Sequence, residues 1–191
     1  HLRILDYLAT VGKANLHYAD KDQRTALHKA SAAGHMALCQ YLVRNDAQKS
    51  RGLRAVDARD KDQRTPLHDA CVHGQTAVVQ FLVQEARARI HDQSSSGDTA
   101  LHYAAQKGHV STIQYLLQGA RARLDVKNRD GLTPMDCAKQ SQSTAVMECF
   151  RQWMAATQQK PQDPSAATTT DSKATGEMVS SYICLTGTEC L

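Results

Sequence analysis

Apolar residues recur in this chain as two neighbouring pairs per segment, and the segments themselves recur at a long interval. Within a segment the pairs begin three residues apart, which places them on one face of a helix. The segments are Leu38-Cys39 with Tyr41-Leu42, Val78-Val79 with Phe81-Leu82, Thr112-Ile113 with Tyr115-Leu116, and Val146-Met147 with Cys149-Phe150. The pattern predicts four helices that each bury one face.

A short phrase precedes each of these helices and predicts a second, shorter helix. Thr-Ala/Pro-Leu-His-x-Ala begins at Thr25, Thr65 and Thr99, and a decayed copy, Thr-Pro-Met-Asp-Cys-Ala, begins at Thr133. Its Leu-x-x-Ala spacing indicates a helix with a small-residue face. The threonines are 40, 34 and 34 residues apart. A nearly fixed step of this size is typical of a stack of repeated units, which builds a surface and not a pocket.

A glycine follows the threonine by nine residues in three of the copies, at Gly34, Gly74 and Gly108. This position separates the two predicted helices, where a helix commonly ends on a residue with positive φ. Each unit is therefore predicted to be helix–turn–helix followed by an extended polar loop.

These features resemble the ankyrin repeat, a unit of about 33 residues with a β-turn and two antiparallel helices. DKDQRTALHKASAAGHMALCQYLV (20–43) and GDTALHYAAQKGHVSTIQYLLQGA (97–120) match nearly the whole motif. The resemblance covers roughly residues 1–155 and implies an all-α repeat solenoid, an ankyrin stack of helix–turn–helix units joined by β-hairpin-like loops.

The period divides the chain into an array over 1–155 and a tail over 156–191. The polar, proline-containing composition of the tail predicts disorder. The array consists of a partial repeat (1–19), repeat 1 (20–53) followed by an insertion loop, repeat 2 (60–93), repeat 3 (94–127) and a degenerate capping repeat (128–155). The longer first step predicts an insertion of about six residues within 45–60. Because Ile4-Leu5 lies 34 residues before Leu38-Cys39, we expect the chain to begin inside a repeat, as a fragment of a longer protein.

Two departures from the family pattern carry further expectations. The family usually has glycine two residues before the threonine, where this chain has Gln23, Gln63, Gly97 and Gly131. The glutamines must adopt the strained turn geometry or replace it with another turn. In the last repeat Asp136 replaces the motif histidine and Gln142 replaces the turn glycine, as expected of a solvent-facing cap.

The formal net charge is +4, and part of the positive charge is periodic. Arg87 and Arg89 recur 34 residues later as Arg121 and Arg123, which predicts a short basic row along the stack. The row is either a solvated edge or a docking strip for an acidic partner segment. A nucleic-acid site is disfavoured, because the pI is only about 8.8 and aromatic residues are scarce.

Cysteines and histidines offer little catalytic or metal chemistry. The six cysteines form no Cys-x-x-Cys pair or zinc spacing, which favours buried thiols in a reducing compartment, the cytoplasm or nucleus. His28, His68 and His102 hold the motif position, where the family's imidazole ties the loop to the neighbouring unit. With no nucleophile turn or phosphate loop, we expect no enzyme activity, no catalytic residues, no cofactor and no metal.

The resemblance implies a protein partner on a concave face of hairpin tips and first helices. By register the tips are Arg24, Arg64, Asp98 and Asp130, and the helix positions are Lys29, Asp69 and Tyr103 together with Ala33, His73 and Lys107. Tyr103 is the preferred anchor, because tyrosine is enriched at binding hot spots. The charge of the tips changes from positive to negative along the stack, which predicts a partner segment with the opposite polarity along its length.

The predicted function is therefore a non-catalytic protein–protein interaction module, present as a monomeric array. The alternative is a regulatory or targeting ankyrin segment of a larger enzyme or membrane protein whose other domains lie upstream. No membrane insertion is expected from this segment, because its last apolar stretch is too short to span a bilayer.

Overall fold

The computed structural model describes residues 18–49 and 54–158, and within them it is built of paired helices. The predicted partial repeat (except 18–19) and the predicted disordered tail (from 159 onward) lie outside the described residues. The helices, which all belong to the compact unit His1–Gln159, are α1 (Ala26–Ala33), α2 (Met36–Lys49), α3 (Pro66–Val72), α4 (Thr76–Gln84), α5 (Ala100–Lys107), α6 (Val110–Gln118), α7 (Pro134–Gln140) and α8 (Thr144–Gln158). A 3₁₀ turn spans Ala55–Asp57.

The helices stack in two rows. The first helices of successive repeats, α1, α3, α5 and α7, pack on one another in sequence, and the second helices α2, α4, α6 and α8 do the same. Among the described residues there is no strand, and the only β-type pairing outside strands is an antiparallel bridge between Ala19 and Thr25. The all-helical repeat stack predicted from the sequence is confirmed.

Each first helix begins at the motif threonine for a local reason. Thr25, Thr65, Thr99 and Thr133 all have extended backbone, with φ between −82° and −97° and ψ near 165–170°. In each case the residue three positions later accepts the threonine N–H with its side chain, which completes a capping box. Pro66 and Pro134 occupy the first helical position, where a missing N–H costs nothing.

The turn between the two helices needs a left-handed residue in every repeat. Gly34, Gly74 and Gly108 have φ of 74°, 65° and 79°, as the glycine spacing predicted. Gln142 takes the same conformation in the last repeat, with φ 53°. At Gly34 a Cβ would also lie 2.4 Å from the side-chain oxygen of Gln75, so glycine lets the next repeat approach closely.

The core runs through the stack as rows of equivalent residues. The alanines of the small-residue face, Ala30, Ala70, Ala104 and Ala138, are at most 2 % exposed, which lets the first helices pack closely. The second apolar pair of each long helix supplies the larger side chains Leu42, Leu82, Leu116 and Phe150, at most 3 % exposed. The apolar faces predicted for the long helices are therefore the buried ones.

The insertion after repeat 1 differs from the predicted loop at its start. Helix α2 continues to Lys49, five residues beyond the position where the equivalent helices α4 and α6 end. Asp46, in this extra turn, accepts the Ala55 N–H at 2.7 Å and so ties the helix to the chain that leads into repeat 2. Part of the insertion is therefore helical.

Candidate partner-binding surface

The hairpin turns before the threonines, here called fingers (20–24, 60–64, 94–98 and 128–132), are joined in a row by backbone hydrogen bonds. The N–H of Lys61 donates to the Asp22 carbonyl at 3.0 Å. The equivalent bonds run from Ser95 to Asp62 at 2.8 Å and from Arg129 to Ser96 at 2.9 Å. One bond of the same kind at each interface holds neighbouring fingers in a fixed register.

Four side chains at the base of the fingers shape the turns from within. Asp60 accepts the N–H groups of Asp62 and Arg64 with one carboxylate oxygen, at 2.9 and 2.8 Å. Asp20, Ser94 and Asn128 occupy the same position in the other fingers. The left-handed residue of each turn is Gln23 (φ 59°), Gln63 (58°), Gly97 (80°) or Gly131 (74°). The glutamines therefore adopt the strained geometry and do not replace the turn.

The motif histidines join each repeat to the next. His28 Nε2 lies 3.1 Å from the Arg64 carbonyl, and His102 Nε2 lies 3.2 Å from the Leu132 carbonyl. His68 makes the same type of bond to the Asp92 carbonyl at 3.1 Å. Because Nδ1 accepts the threonine N–H, Nε2 must carry the proton in the neutral ring. The inter-repeat tie implied by the resemblance is confirmed.

Burial keeps these three imidazoles neutral. Desolvation lowers the pKa of His28, His68 and His102, because the charged ring would lose its water. The effect is largest at His68, whose pKa falls to about 4. The three rings are buried with both nitrogens engaged, so their role is structural.

Asp136 takes over only half of the histidine's role. Its Oδ2 accepts from the Thr133 hydroxyl at 2.7 Å and from the Thr133 N–H at 3.2 Å. Its other oxygen pairs with Lys139 Nζ at 3.1 Å. These hydrogen bonds lower the pKa of Asp136 to about 2. The carboxylate closes its own helix and reaches toward no further unit.

Four of the charges at the interface of repeats 1 and 2 form one group, here called the charge cluster: Arg24, Asp60, Arg64 and Asp69. Arg24 binds Asp69 at 2.8 Å, and Arg64 binds Asp60 at 2.9 Å. Arg24 Nε also lies 4.0 Å from Asp60. Both aspartate side chains are 1 % exposed, whereas the arginines are 27 % and 23 % exposed.

The charge cluster corrects one predicted contact residue. Asp69 is buried beneath Arg24, so its carboxylate does not lie on the surface. The physical reason is that Arg24, directly before Thr25, reaches over the first helix of the next repeat and neutralises the Asp69 carboxylate. Arg24 and Arg64 remain partly exposed, with their guanidinium groups held by aspartates.

Two other predicted helix positions fold back on their own fingers. Lys29 Nζ pairs with Asp20 at 2.8 Å while the side chain stays 61 % exposed. The Tyr103 hydroxyl donates to Ser94 Oγ at 3.1 Å, and its ring meets the His68 ring edge-on at 5.6 Å. Tyr103 is half-buried, so a partner would meet one side of a ring whose hydroxyl is already bonded.

The third and fourth predicted tips do not share one register. Asp98 lies directly before its threonine, as Arg24 and Arg64 do, and accepts from Asn128 Nδ2 at 2.8 Å. Asp130 lies two residues further from its threonine. The residue equivalent to Asp98 in the last repeat is Leu132, directly before Thr133. Asp130 is exposed in the turn, so the predicted column of tips, two arginines followed by two aspartates, ends at Asp98.

The last predicted row lies at the carboxyl ends of the first helices. Ala33, His73 and Lys107 occupy the same register position in three repeats, and all three are exposed. His73 Nδ1 is 2.9 Å from the Asp69 carbonyl of its own helix. Within 18–49 and 54–158, Lys107 has no hydrogen bond or ion pair. This row takes no part in holding the repeats together.

One row of contacts between repeats was not predicted from the sequence. Gln75 donates to the Ala32 carbonyl at 3.4 Å, and His109 bonds the Val72 carbonyl at 3.0 Å. Each side chain thus caps the first helix of the preceding repeat, beside its left-handed turn. Histidine follows the turn glycine at His35 and His109, and this recurrence could have predicted the row. Gln75 holds the same position in repeat 2 and interrupts the pattern.

The structure also has a groove that no motif indicated. It encloses about 440 Å³, and none of its lining residues belongs to the charge cluster. Its lining residues are Gln23, Arg54, Asp57, Arg59, Gln63, Arg89 and Asp92. Arg59 is bound to Asp92 at 2.8 Å, and Arg54 lies 3.8 Å from Asp57.

Two further tests of the described residues concern ions and membranes. No group of three or more histidines, cysteines, aspartates or glutamates in 18–49 and 54–158 is arranged to hold a metal ion. Every helix in the same ranges falls short of the length and apolarity that a bilayer-crossing segment needs.

Comparison with models of protein families gives a match. The family described as Ankyrin repeats (3 copies) matches residues 1–94 and 84–151. No match is found among curated proteins. The matched ranges include the motif threonines, the fingers and all or part of every helix described above.

Proposed function

This chain belongs to the ankyrin-repeat family, and on that premise we propose that it is a non-catalytic module that holds a protein partner on the face formed by the fingers and first helices. Ankyrin repeats are generally protein–protein interaction modules and are typically non-catalytic. The observation that carries the proposal is the exposed row Ala33, His73 and Lys107, whose side chains make no hydrogen bond to another repeat within the described residues while the backbone beneath them is fixed.

The rest of the face adds chemistry to this row. Lys29 contributes a largely exposed ammonium group, and Tyr103 contributes one side of an aromatic ring. Arg24 and Arg64 present partly exposed guanidinium edges that cannot leave the charge cluster without stranding a buried aspartate. The proposed contact set is therefore Lys29, His73, Tyr103 and Lys107, with the arginines as a fixed rim.

Site-specific photocrosslinking tests the choice of face. A photoreactive residue at position 73 or 107 should capture a specific partner from cell extract, and the same residue at Gln80 or Gln114, exposed on the second helices, should not. The captured protein is then purified, and its Kd for the chain is measured with Lys107→Glu and Tyr103→Ala. Each change should weaken binding by about thirtyfold or more, the equivalent of the roughly 2 kcal/mol that defines an interface hot spot. Equal capture from both faces would contradict the proposal.

We further propose that the protein works in a reducing compartment, the cytoplasm or nucleus. The support is that Cys39, Cys71, Cys137 and Cys149 are all buried free thiols. Burial raises the pKa of all four thiols, which keeps them protonated and unreactive. Imaging of the tagged chain in intact cells tests this, and entry into the secretory pathway would contradict it.

A further inference from the structure

A second surface of the molecule, away from the first helices, carries unneutralised positive charge. Arg87 and Arg89 follow α4, and Arg121 follows α6. All three side chains are exposed, and none has a hydrogen bond or ion pair within the described ranges 18–49 and 54–158. Their neighbours are different, because Arg123 binds Asp125 through two hydrogen bonds, at 2.8 and 3.1 Å.

The backbone under two of these arginines is strained in the same way. Arg87 has φ 57° and Arg121 has φ 56°, a left-handed conformation that glycine adopts without cost. Both residues lie three positions after the end of their helix, so the strain recurs at one place in the repeat. A strained conformation that recurs with an exposed, unpaired side chain points to a use of that side chain outside folding.

The stack sets the spacing of the charges. Helices α4 and α6 pack side by side, so equivalent residues after them lie about one interaxial distance apart, on the order of 10 Å. An extended peptide in the polyproline II conformation rises about 3.1 Å per residue with three residues per turn, so residues three positions apart lie on one face, about 9 Å from each other. Carboxylates at every third position of such a peptide would match Arg87 and Arg121.

Arg89 adds a groove to this row. It lines the 440 Å³ groove between the fingers of repeats 1 and 2 and the loop after α4. The two aspartates of the groove are engaged by Arg54 and Arg59, which leaves Arg89 as the cation without a carboxylate. The amides of Gln23 and Gln63 line the same groove and can also bond a carboxylate.

We propose that Arg87, Arg89 and Arg121, here called the basic strip, bind an extended acidic peptide segment whose carboxylates are three residues apart. The strip follows the second helices and shares no residue with the contact set proposed on the first helices. A peptide fits better than nucleic acid, because Asp57 and Asp92 line the groove beside Arg89 and would repel a continuous phosphate backbone more than carboxylates spaced along a peptide.

Fluorescence anisotropy with the whole chain tests the strip. The probe is a labelled peptide with glutamate at every third position and serine elsewhere. An isomer with the same glutamates in one block tests the spacing, and a short DNA duplex tests the alternative. The chain should bind the spaced peptide best. The double change Arg87→Gln and Arg121→Gln should raise its Kd about fivefold, because an exposed ion pair contributes about two- to fivefold. Glutamine tolerates this backbone, since Gln23, Gln63 and Gln142 already adopt it.

Matched variants separate docking from a loss of charge in general. Lys107→Gln removes one positive charge from the first helices, Arg123→Gln removes an arginine that already has its carboxylate, and together they remove as many charges as the double change. Neither should change the Kd by more than the measurement error. Arg87→Gly should weaken binding of the peptide. It should leave the Tm of the chain unchanged or raise it, because glycine relieves the backbone strain.

Three results would overturn the proposal. Equal affinity of the double variant and the unchanged chain would show that the strip does not bind the peptide. A lower Tm for Arg87→Gly would give the arginine a structural role. Tighter binding of the duplex, with affinity that falls steeply between about 50 and 200 mM salt, would assign the strip to nucleic acid.

Discussion

His68 is enclosed between its own repeat and the next, where an extra proton on the ring would break an existing bond. Nδ1 accepts the Thr65 N–H at 3.0 Å, and protonation of Nδ1 would replace that attraction with a clash of two donors. Nearby charges have mixed effects on the ring, since Asp69 favours its protonation and Arg59 opposes it. Burial is the largest influence and lowers the pKa.

Acid is therefore expected to destabilise the array through His68. The unfolded chain takes up a proton near pH 6.5, and the folded chain does so only near pH 4. Between these values the unfolded state binds more protons, so the free energy of unfolding falls as the pH falls. The contribution of His68 to the free energy of unfolding is fully present above pH 6.5. The part of it that is lost by pH 4 is about 3 kcal/mol.

Urea denaturation near pH 7 and near pH 4 measures this loss. His68→Gln should be less stable at neutral pH and show a smaller difference between the two pH values. His73→Gln, which alters an exposed ring, should keep the full difference. A pH dependence that is the same in His68→Gln and in the unchanged chain would contradict the prediction.

The charge cluster gives a second prediction about single residues. Asp69→Ala would leave Arg24 half-buried without its carboxylate, and removal of one partner of a buried pair costs about 3–5 kcal/mol. Thermal and urea unfolding measure the change. Asp130→Ala, which removes an exposed aspartate of the last finger, is the control and should cost less than about 0.5 kcal/mol. Similar losses in both variants would mean that burial of Asp69 contributes nothing.

At the scale of the elements, the fingers are held in shape at some cost to stability. Gln63 has φ 58°, where a side chain crowds the backbone and glycine does not. Gln63→Gly should therefore raise the free energy of unfolding by about 0.5–1 kcal/mol, and calorimetry checks this. Gln80→Gly, at an exposed position inside α4, should instead lower it by about 1 kcal/mol. Destabilisation by both changes would show that the finger is not strained at Gln63.

The elements were predictable from sequence because their causes are local. The threonine cap, the left-handed glycine and the apolar pairs each act within a few residues, and each recurs with the repeat. The extension of α2 was not predictable in this way, because no neighbouring repeat has the same residues. Its anchor, the bond from Asp46 to Ala55, joins two ends of an insertion that occurs once.

At the scale of the whole molecule, stability should depend on neighbours in the stack. Each repeat packs on the one before and the one after, so damage in one repeat removes support from two others. Leu101→Ala in α5 opens the core at a residue 1 % exposed and should cost about 2–5 kcal/mol. Hydrogen exchange should then accelerate in α3 to α8 and least in α1. Uniform acceleration would indicate a single cooperative unit.

The binding surface was less predictable than the fold, because register gives a position and not its partners. Lys29, His73 and Lys107 were placed on an exposed face and lie there. Asp69 has the same register as Lys29, but an arginine of the preceding repeat covers it. Asp130 was assigned two positions too early, since the position equivalent to Arg64 holds Leu132. Side-chain pairing between repeats decides such cases, and a single sequence does not encode it visibly.

The carboxylate at position 136 also limits how this array could be rebuilt. In repeats 1 to 3 an imidazole, from His28, His68 or His102, bonds a backbone carbonyl of the chain that leads into the next unit, and an added unit would need the same bond. The Asp136 side chain is too short to make such a bond, and its oxygens already bind Thr133 and Lys139. A unit grafted after α8 would need histidine restored at position 136, whereas a unit spliced in before Asn128 would find His102 ready to receive it.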